Sequence, residues 1–115
     1  MEETMNNTIT IGMSIKDSIN ARNSSVKLQS APSTFRAKAL AVSTDLDKET
    51  GKMRYVGYIV TEDGTVYGTV SATAIQTIRA IAEAVKAGDL ELPIDLSIAL
   101  KKSNQGREFI CLSIA

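Results

Sequence analysis

From Thr34 onward, apolar and polar residues follow patterns that name the elements. Between Thr34 and Ser43, Phe35, Ala37, Ala39 and Ala41 hold one set of alternate positions; Arg36, Lys38, Leu40 and Val42 hold the other. Period two is the signature of a strand. Further strands are predicted from about Arg54 to Thr61 and from about Thr65 to Val70. Between them stands Glu62-Asp63-Gly64-Thr65, whose central Asp-Gly pair suits a type I′ hairpin turn, because that turn needs positive φ at both centres. Ser71 is placed to cap a helix through its hydroxyl. Ile75, Ile78, Ile81, Ala82 and Val85 then recur at helical spacing, and Gly88 offers the left-handed residue that ends the run. Next, Ile94, Leu96, Ile98 and Leu100 alternate with Asp95, Ser97, Ala99 and Lys101. After a turn at Ser103-Asn104-Gln105-Gly106, a last strand from Arg107 to Ile114 carries Ile110, Leu112 and Ile114 on one face.

The first third is less regular. Thr8-Ile9-Thr10-Ile11 alternates like a short strand, but Asp17 to Ser33 is polar, with Asn23-Ser24-Ser25 and Ala31-Pro32-Ser33 as loop signals. The predicted order is β-β-β-α-β-β behind an extra N-terminal segment. This is an all-β fold with one helix, an OB-fold-like five-stranded barrel whose helix lies between its third and fourth strands. Another α+β sheet with one helix packed on it has the same order. A chain of 115 residues accommodates one such domain, spanning 1–115.

The turn assignment fixes a register. If Glu62 pairs with Thr65, Val60 stands opposite Tyr67 and Tyr58 opposite Thr69. Val56, Tyr58, Val60, Tyr67 and Thr69 then share one face, and Tyr58 and Tyr67 become diagonal neighbours. Tyr55, Ile59, Val66 and Val70 fall on the other face, with Gly57 and Gly68 between them. The second and third strands of an OB fold form its usual ligand face, and a tyrosine there can stack on a nucleobase. The same pair can equally pack against the N-terminal segment, since aromatic pairs stabilise sheets without a ligand. Arg36, Lys38, Lys52, Arg54, Lys101, Lys102 and Arg107 lie on or beside predicted strands, where several could meet phosphates; each read alone is ordinary solvated surface. Phe35, among alanines, reads as core.

Composition narrows the function classes. There is no histidine, and Cys111 is the only cysteine. That excludes an internal disulfide, a thiolate or imidazole zinc site, and Ser-His-Asp or Cys-His catalysis. Asp45, Asp47 and Glu49, flanked by Lys48, Gly51 and Lys52, read as a solvated loop rather than a magnesium site. No catalytic residue, metal or cofactor is expected. Thirteen basic and thirteen acidic side chains leave no net charge, so a nucleic-acid partner would depend on a local basic patch and on stacking. No apolar run approaches the roughly 20 residues that cross a bilayer. The opening Met1-Glu2-Glu3-Thr4 is acidic and lacks a signal-peptide layout. A cytoplasmic protein with no membrane partner is expected.

Four stretches carry a family likeness. They are Ile19-Asn20-Ala21 with the Ser/Lys-rich loop after it, and Pro32-Ser33-Thr34 opening a strand. The others are Glu62-Asp63-Gly64-Thr65-Val66-Tyr67 before a serine-capped helix, and Lys101-Lys102-Ser103 through Gly106-Arg107-Glu108-Phe109 before a terminal apolar strand. In order and spacing, from about residue 18 to the end, the chain resembles the single-stranded DNA-binding proteins of protein-primed Bacillus phages and their relatives on Gram-positive phages, plasmids and conjugative elements. The resemblance implies an OB-like fold that coats single strands during phage or mobile-element replication or transfer, in the bacterial host cytoplasm, without regard to sequence.

It also implies stacking on tyrosines. Tyr67 falls on a matching tyrosine, whereas Ala41 to Lys48 lacks the family's others, for which Tyr55 and Tyr58 are the available substitutes. The expected DNA-binding set is Tyr58, Tyr67, Tyr55, Arg36, Lys38, Arg54, Lys101, Lys102 and Arg107. The expected partners are single-stranded DNA and other replication proteins. The chain ends in Ser113-Ile114-Ala115, so recruitment through an acidic tail is not expected. The residues leave open the oligomeric state, and leave as an alternative an OB-fold subunit that binds a protein or an oligosaccharide.

Overall fold

The structure, a computed structural model, describes residues 9–12, 20, 25–46 and 49–115. Met1 to Thr4, Thr8, the polar stretch from Asp17 to Ser24 apart from Asn20, and Asp47 with Lys48 lie outside the described residues. In chain order the elements are β1 (Ile9–Ile11), β2 (Val26–Lys27), a 3-10 turn (Leu28–Ser30), β3 (Thr34–Leu46), β4 (Met53–Thr61), β5 (Val66–Thr69), α1 (Ala72–Ala87), β6 (Ile94–Lys102) and β7 (Glu108–Ile114). The strand, strand, strand, helix, strand, strand order from Thr34 matches the sequence expectation.

One sheet holds all seven strands in the order β2-β5-β4-β3-β6-β7, with β1 added alongside β3. The long strand β3 is shared: Thr34 to Ala37 pair antiparallel with β6, and the stretch from Ala37 to Leu46 pairs with β4. The sheet curls into a half-barrel, the OB-like arrangement. Among the described residues β5 and β7 share no ladder; β2 instead runs parallel along the outer edge of β5. The barrel therefore has an open side between β5 and the β6–β7 hairpin.

A bulge sets the faces of β3. Ala37 pairs with Thr61 and Ala39 with Val60, so Lys38 is an extra residue. Strict alternation would keep Phe35, Ala37, Ala39 and Ala41 together. Instead the bulge lets Ala37, Leu40 and Val42 all enter the core under the helix, with Phe35 packed at its border, while Ala41 turns to the other side. The strand also runs past Ser43 to Leu46, which puts Asp45 in β3 rather than in a loop.

The helix forms as its sequence signals require. Ser71 Oγ accepts from the Ala74 N–H at 3.5 Å, and Gly88 ends the helix at φ 86°. Its stripe of Ala74, Ile75, Ile78, Ile81 and Ala82 is buried against Leu40, Ile59, Leu96, Ile110 and Leu112. Leu28 from the 3-10 turn joins this core. Gly57 lies directly beneath the helix: a Cβ there would sit 2.7 Å from Ile78 Cδ1, so the missing side chain permits the close approach.

The β4–β5 hairpin corrects the expected register. Thr61 N–H donates to Thr65 O, and Gly64 N–H to Thr61 O, both at 2.9 Å. Only Gly64 is left-handed (φ 90°); Asp63 is not, so the turn is not type I′. Glu62, Asp63 and Gly64 form a three-residue loop. Asp63 stays at negative φ, where its carboxylate accepts from the Thr61 hydroxyl and from the Thr65 N–H. The pairs are consequently Ile59 with Tyr67 and Tyr58 with Gly68. A slip of one residue sends every side chain of one strand to the opposite face. Tyr67 thus shares a face with Ile59 and the helix, and Tyr58 lies on the other side of the sheet with Ala41 and Val56. The two tyrosines do not form one platform.

Candidate nucleic-acid interface

The open side of the barrel is a groove of about 1120 Å³. Its wall on the β4–β5 side includes Arg54 and Tyr58, β2 contributes Lys27, and the β6–β7 hairpin contributes Leu100, Glu108 and Phe109. Gly68 lets β2 approach the sheet, because a Cβ there would lie 3.1 Å from Ser25 Oγ and 3.4 Å from the Tyr58 ring. Tyr58 is only 3% exposed, so it forms a floor rather than a projecting ring. Leu100 is 56% exposed, and Phe109 is half-buried.

The hairpin that carries Phe109 is tied at its tip. Ser103 N–H donates to Arg107 O at 2.8 Å, Ser103 Oγ accepts from the Gln105 and Arg107 N–H groups at 3.3 Å, and Gly106 supplies the positive φ of 82°. Lys101 pairs across the ladder with Phe109, and Lys102 with Glu108. Lys101, Lys102 and Arg107 are exposed side chains on this fixed tip, close in sequence to the groove-lining Leu100 and Glu108, and none of the three lines the groove itself. The groove is lined by two cations, Lys27 and Arg54, and by one carboxylate, Glu108. In an OB fold this hairpin and the two strands corresponding to β4 and β5 are the elements that meet oligonucleotides.

The other expected residues lie elsewhere. Arg36 pairs with Asp95 across β3 and β6, its Nε donating to Oδ1 at 2.9 Å. The hydrogen bond and the adjacent opposite charge raise the Arg36 pKa, and the same bond holds the Asp95 carboxyl below its ordinary value. Lys38 is exposed at the bulge and does not line the groove. Tyr67 is half-buried at the border of the main core, its ring centroid 5.8 Å from that of Phe35 at an interplanar angle of 46°.

Tyr55, 42% exposed, lies with the Arg79 guanidinium 5.5 Å from its ring centroid. These two, with Arg54, Val70, Ile75 and Gln76, line a second cavity of about 530 Å³ beside the helix.

Phe109 and Lys27, which line the groove, and Arg79, which lines the cavity, are the residues that the sequence did not single out. Phe109 carries no periodic signal, because its alternate positions in β7 hold Cys111 and Ser113. Lys27 sits in the polar segment where no element was expected. Arg79 had a usable signal: it follows Ile75 by four residues and so shares a helix face with it. Among the described residues no group of three or more acidic or cysteine side chains is arranged to hold a metal, and no helix is long and apolar enough to cross a membrane.

A family model described as the Phi29-type phage single-stranded DNA-binding protein matches residues 4–115. No curated protein and no solved structure matches the chain.

Proposed function

We propose, for a chain that belongs to the family of phage single-stranded DNA-binding proteins, that the groove on the open side of the half-barrel holds the DNA strand. The observation that carries this reading is the meeting of aromatic, apolar and cationic groups on the strands and hairpin that OB folds use for oligonucleotides. Bases pack on Phe109 and Leu100 over the Tyr58 floor, and phosphates meet Lys27, Arg54 and the hairpin cations Lys101, Lys102 and Arg107. Stacking and phosphate contact do not read base edges, so binding is tolerant of sequence. The protein binds without catalysis and covers single strands during phage or mobile-element DNA replication or transfer in the host cytoplasm. Tyr67, Arg36 and Lys38 have no place in this groove; Tyr67 packs at the border of the core, and Arg36 pairs with Asp95 at the surface.

Fluorescence anisotropy with labelled oligo(dT), mixed-sequence single strands, RNA and a duplex of equal length tests the reading. Single strands of different sequence are expected to bind within about an order of magnitude of one another, and more tightly than the duplex. Retention of none of them would favour an OB subunit that binds a protein or an oligosaccharide.

A further inference from the structure

The Tyr55–Arg79 cavity is separate from the groove but adjoins it. Arg54 and Val70 line both, so they form the wall between the two. On β4 the side chains alternate, which sends Arg54 toward the groove side and Tyr55 toward the helix side. The helix answers with Ile75, Gln76 and Arg79 on one face.

The chemistry of this cavity is specific. Tyr55 is the most exposed of the three tyrosines that the fold positions, and Val70 beside it is 56% exposed. Two guanidinium groups, one carboxamide and one phenol line it, and no acidic side chain does. The Arg79 guanidinium lies over one face of the Tyr55 ring, so an unpaired base can extend this stack on a surface the pair leaves outward. A second arginine at the wall supplies a cation for the phosphate that follows, and the carboxamide can donate to or accept from a base edge. An apolar peptide would gain little from the exposed Arg54 and half-buried Arg79, whereas a nucleotide brings both a ring to stack and a phosphate to pair with them.

We propose that Tyr55 and Arg79 form a second nucleotide station, reached by a DNA strand that leaves the groove over Arg54 and Val70. Arg79 is then a DNA-contacting residue on the helix, outside the strands and hairpin that build the groove. The inference rests on the groove reading above and extends the strand's path by at least one nucleotide. Short strands that occupy only the groove do not reach the station; longer ones do.

The protein contains no tryptophan, so a Tyr55→Trp variant places a single indole reporter in the cavity. Titration with 5′-labelled oligo(dT) of increasing length gives two readouts, anisotropy for binding and indole emission for stacking. Anisotropy is expected to rise for short and long strands alike, and indole emission to be quenched only by the longer ones. Arg79→Ala and Tyr55→Ala, in the otherwise unaltered chain, are each expected to weaken the longer strand roughly tenfold and to leave the shortest bound strand within about twofold. Tyr55→Phe should bind like the native protein, and all three should melt within a few degrees of it, because Tyr55 is exposed and neither side chain belongs to the buried core. Rising anisotropy with unquenched indole, or equal loss of short and long strands, would overturn the station while leaving the groove reading intact. Absence of any anisotropy change with the native protein would overturn both.

Discussion

Strand β4 separates two regions built on opposite terms. On its helix side Gly57 lies under Ile78, Ile59 is 1% exposed, and Tyr67 leans on Phe35 at the border of the same core. On its other side Arg54, Val56 and Tyr58 border a groove that the sheet leaves open between β5 and β7. Both sides hold aromatic rings among β-branched residues, so residue type does not distinguish them. What distinguishes them is closure. The helix covers the middle of one face and leaves only its Tyr55 end open, while among the described residues no ladder joins β5 to β7 to close the other. An aromatic packed at the border of the helix-covered core, as Tyr67 is, stabilises the fold; an aromatic or cation in the groove, or at the uncovered Tyr55 end, is available to a ligand.

The largest effect that follows is on the closed side. Ile78→Ala removes the side chain that fills the space over Gly57, and is expected to cost about 2–5 kcal/mol of stability in urea denaturation. Affinity of the folded fraction for oligo(dT) should be unchanged. A loss of binding without a loss of stability would reverse the roles assigned to the two faces.

The two aromatics sharpen the contrast. Tyr67→Ala is expected to destabilise by about 3 kcal/mol, near the low end for an aromatic truncation because the ring is only half-buried, with oligo(dT) affinity intact. Phe109→Ala is expected to do the opposite, with near-native melting and a loss of roughly 1–3 kcal/mol of binding. If Tyr67→Ala instead weakens binding at native stability, the strand runs over the helix side.

Salt dependence separates the basic residues in the same way. The five phosphate contacts of Lys27, Arg54, Lys101, Lys102 and Arg107, at about 0.7 each, predict a log–log slope of roughly −3.5 for the native protein. Lys101→Ala, Lys102→Ala and Arg107→Ala should each make the slope shallower by up to about 0.7. Arg36→Ala, which breaks a pair with Asp95 away from the groove, should leave it unchanged. A slope near −8 would mean a far larger basic surface than the groove rim provides.

The smallest expected effect is on acid stability. The Thr61 hydroxyl, then the Thr65 N–H, hold the Asp63 carboxyl below its ordinary value of 3.8, and the hydrogen bond from Arg36 lowers Asp95 likewise. A depressed folded-state pKa stabilises the fold at pH above the unfolded value, and that contribution is lost as pH falls through the folded value. Melting temperature should therefore be flat from neutral pH to about 4 and decline below it. In Asp63→Asn the decline should be shallower.

Much of the fold was legible because its signals were local. The isoleucine stripe of α1, the Ser71 cap and the Gly88 stop each act within one helical turn, and the structure holds all three. With the period-two strands on either side, they gave the element order, which an OB-like barrel and another α+β sheet share; the structure shows the OB-like arrangement. The Asp-Gly pair misled because two different turns accept it. In a two-residue loop both residues need positive φ, whereas here Gly64 alone takes it and Asp63 uses its carboxylate to bind Thr61 and Thr65. That one residue of slip separated Tyr58 from Tyr67. The Lys38 bulge was invisible for a related reason: alternation in β3 is consistent with either face when alanines occupy one and Leu40 and Val42 the other. The groove depends on which strands fail to pair, and no local pattern encodes that. The sequence therefore marked Arg54 and the hairpin cations but gave Phe109 no role.

The central claim is that single-stranded DNA lies between the β4–β5 side and the β6–β7 hairpin. The most direct measurement is amide chemical-shift mapping of the isotope-labelled protein during titration with oligo(dT). The account predicts the largest shifts at Lys27, Arg54, Gly68, Leu100, Phe109 and Ile110, with Arg36, Lys38 and Ile78 nearly still. Large shifts around Arg36 and Lys38 on β3, with Phe109 and Arg54 unmoved, would contradict it.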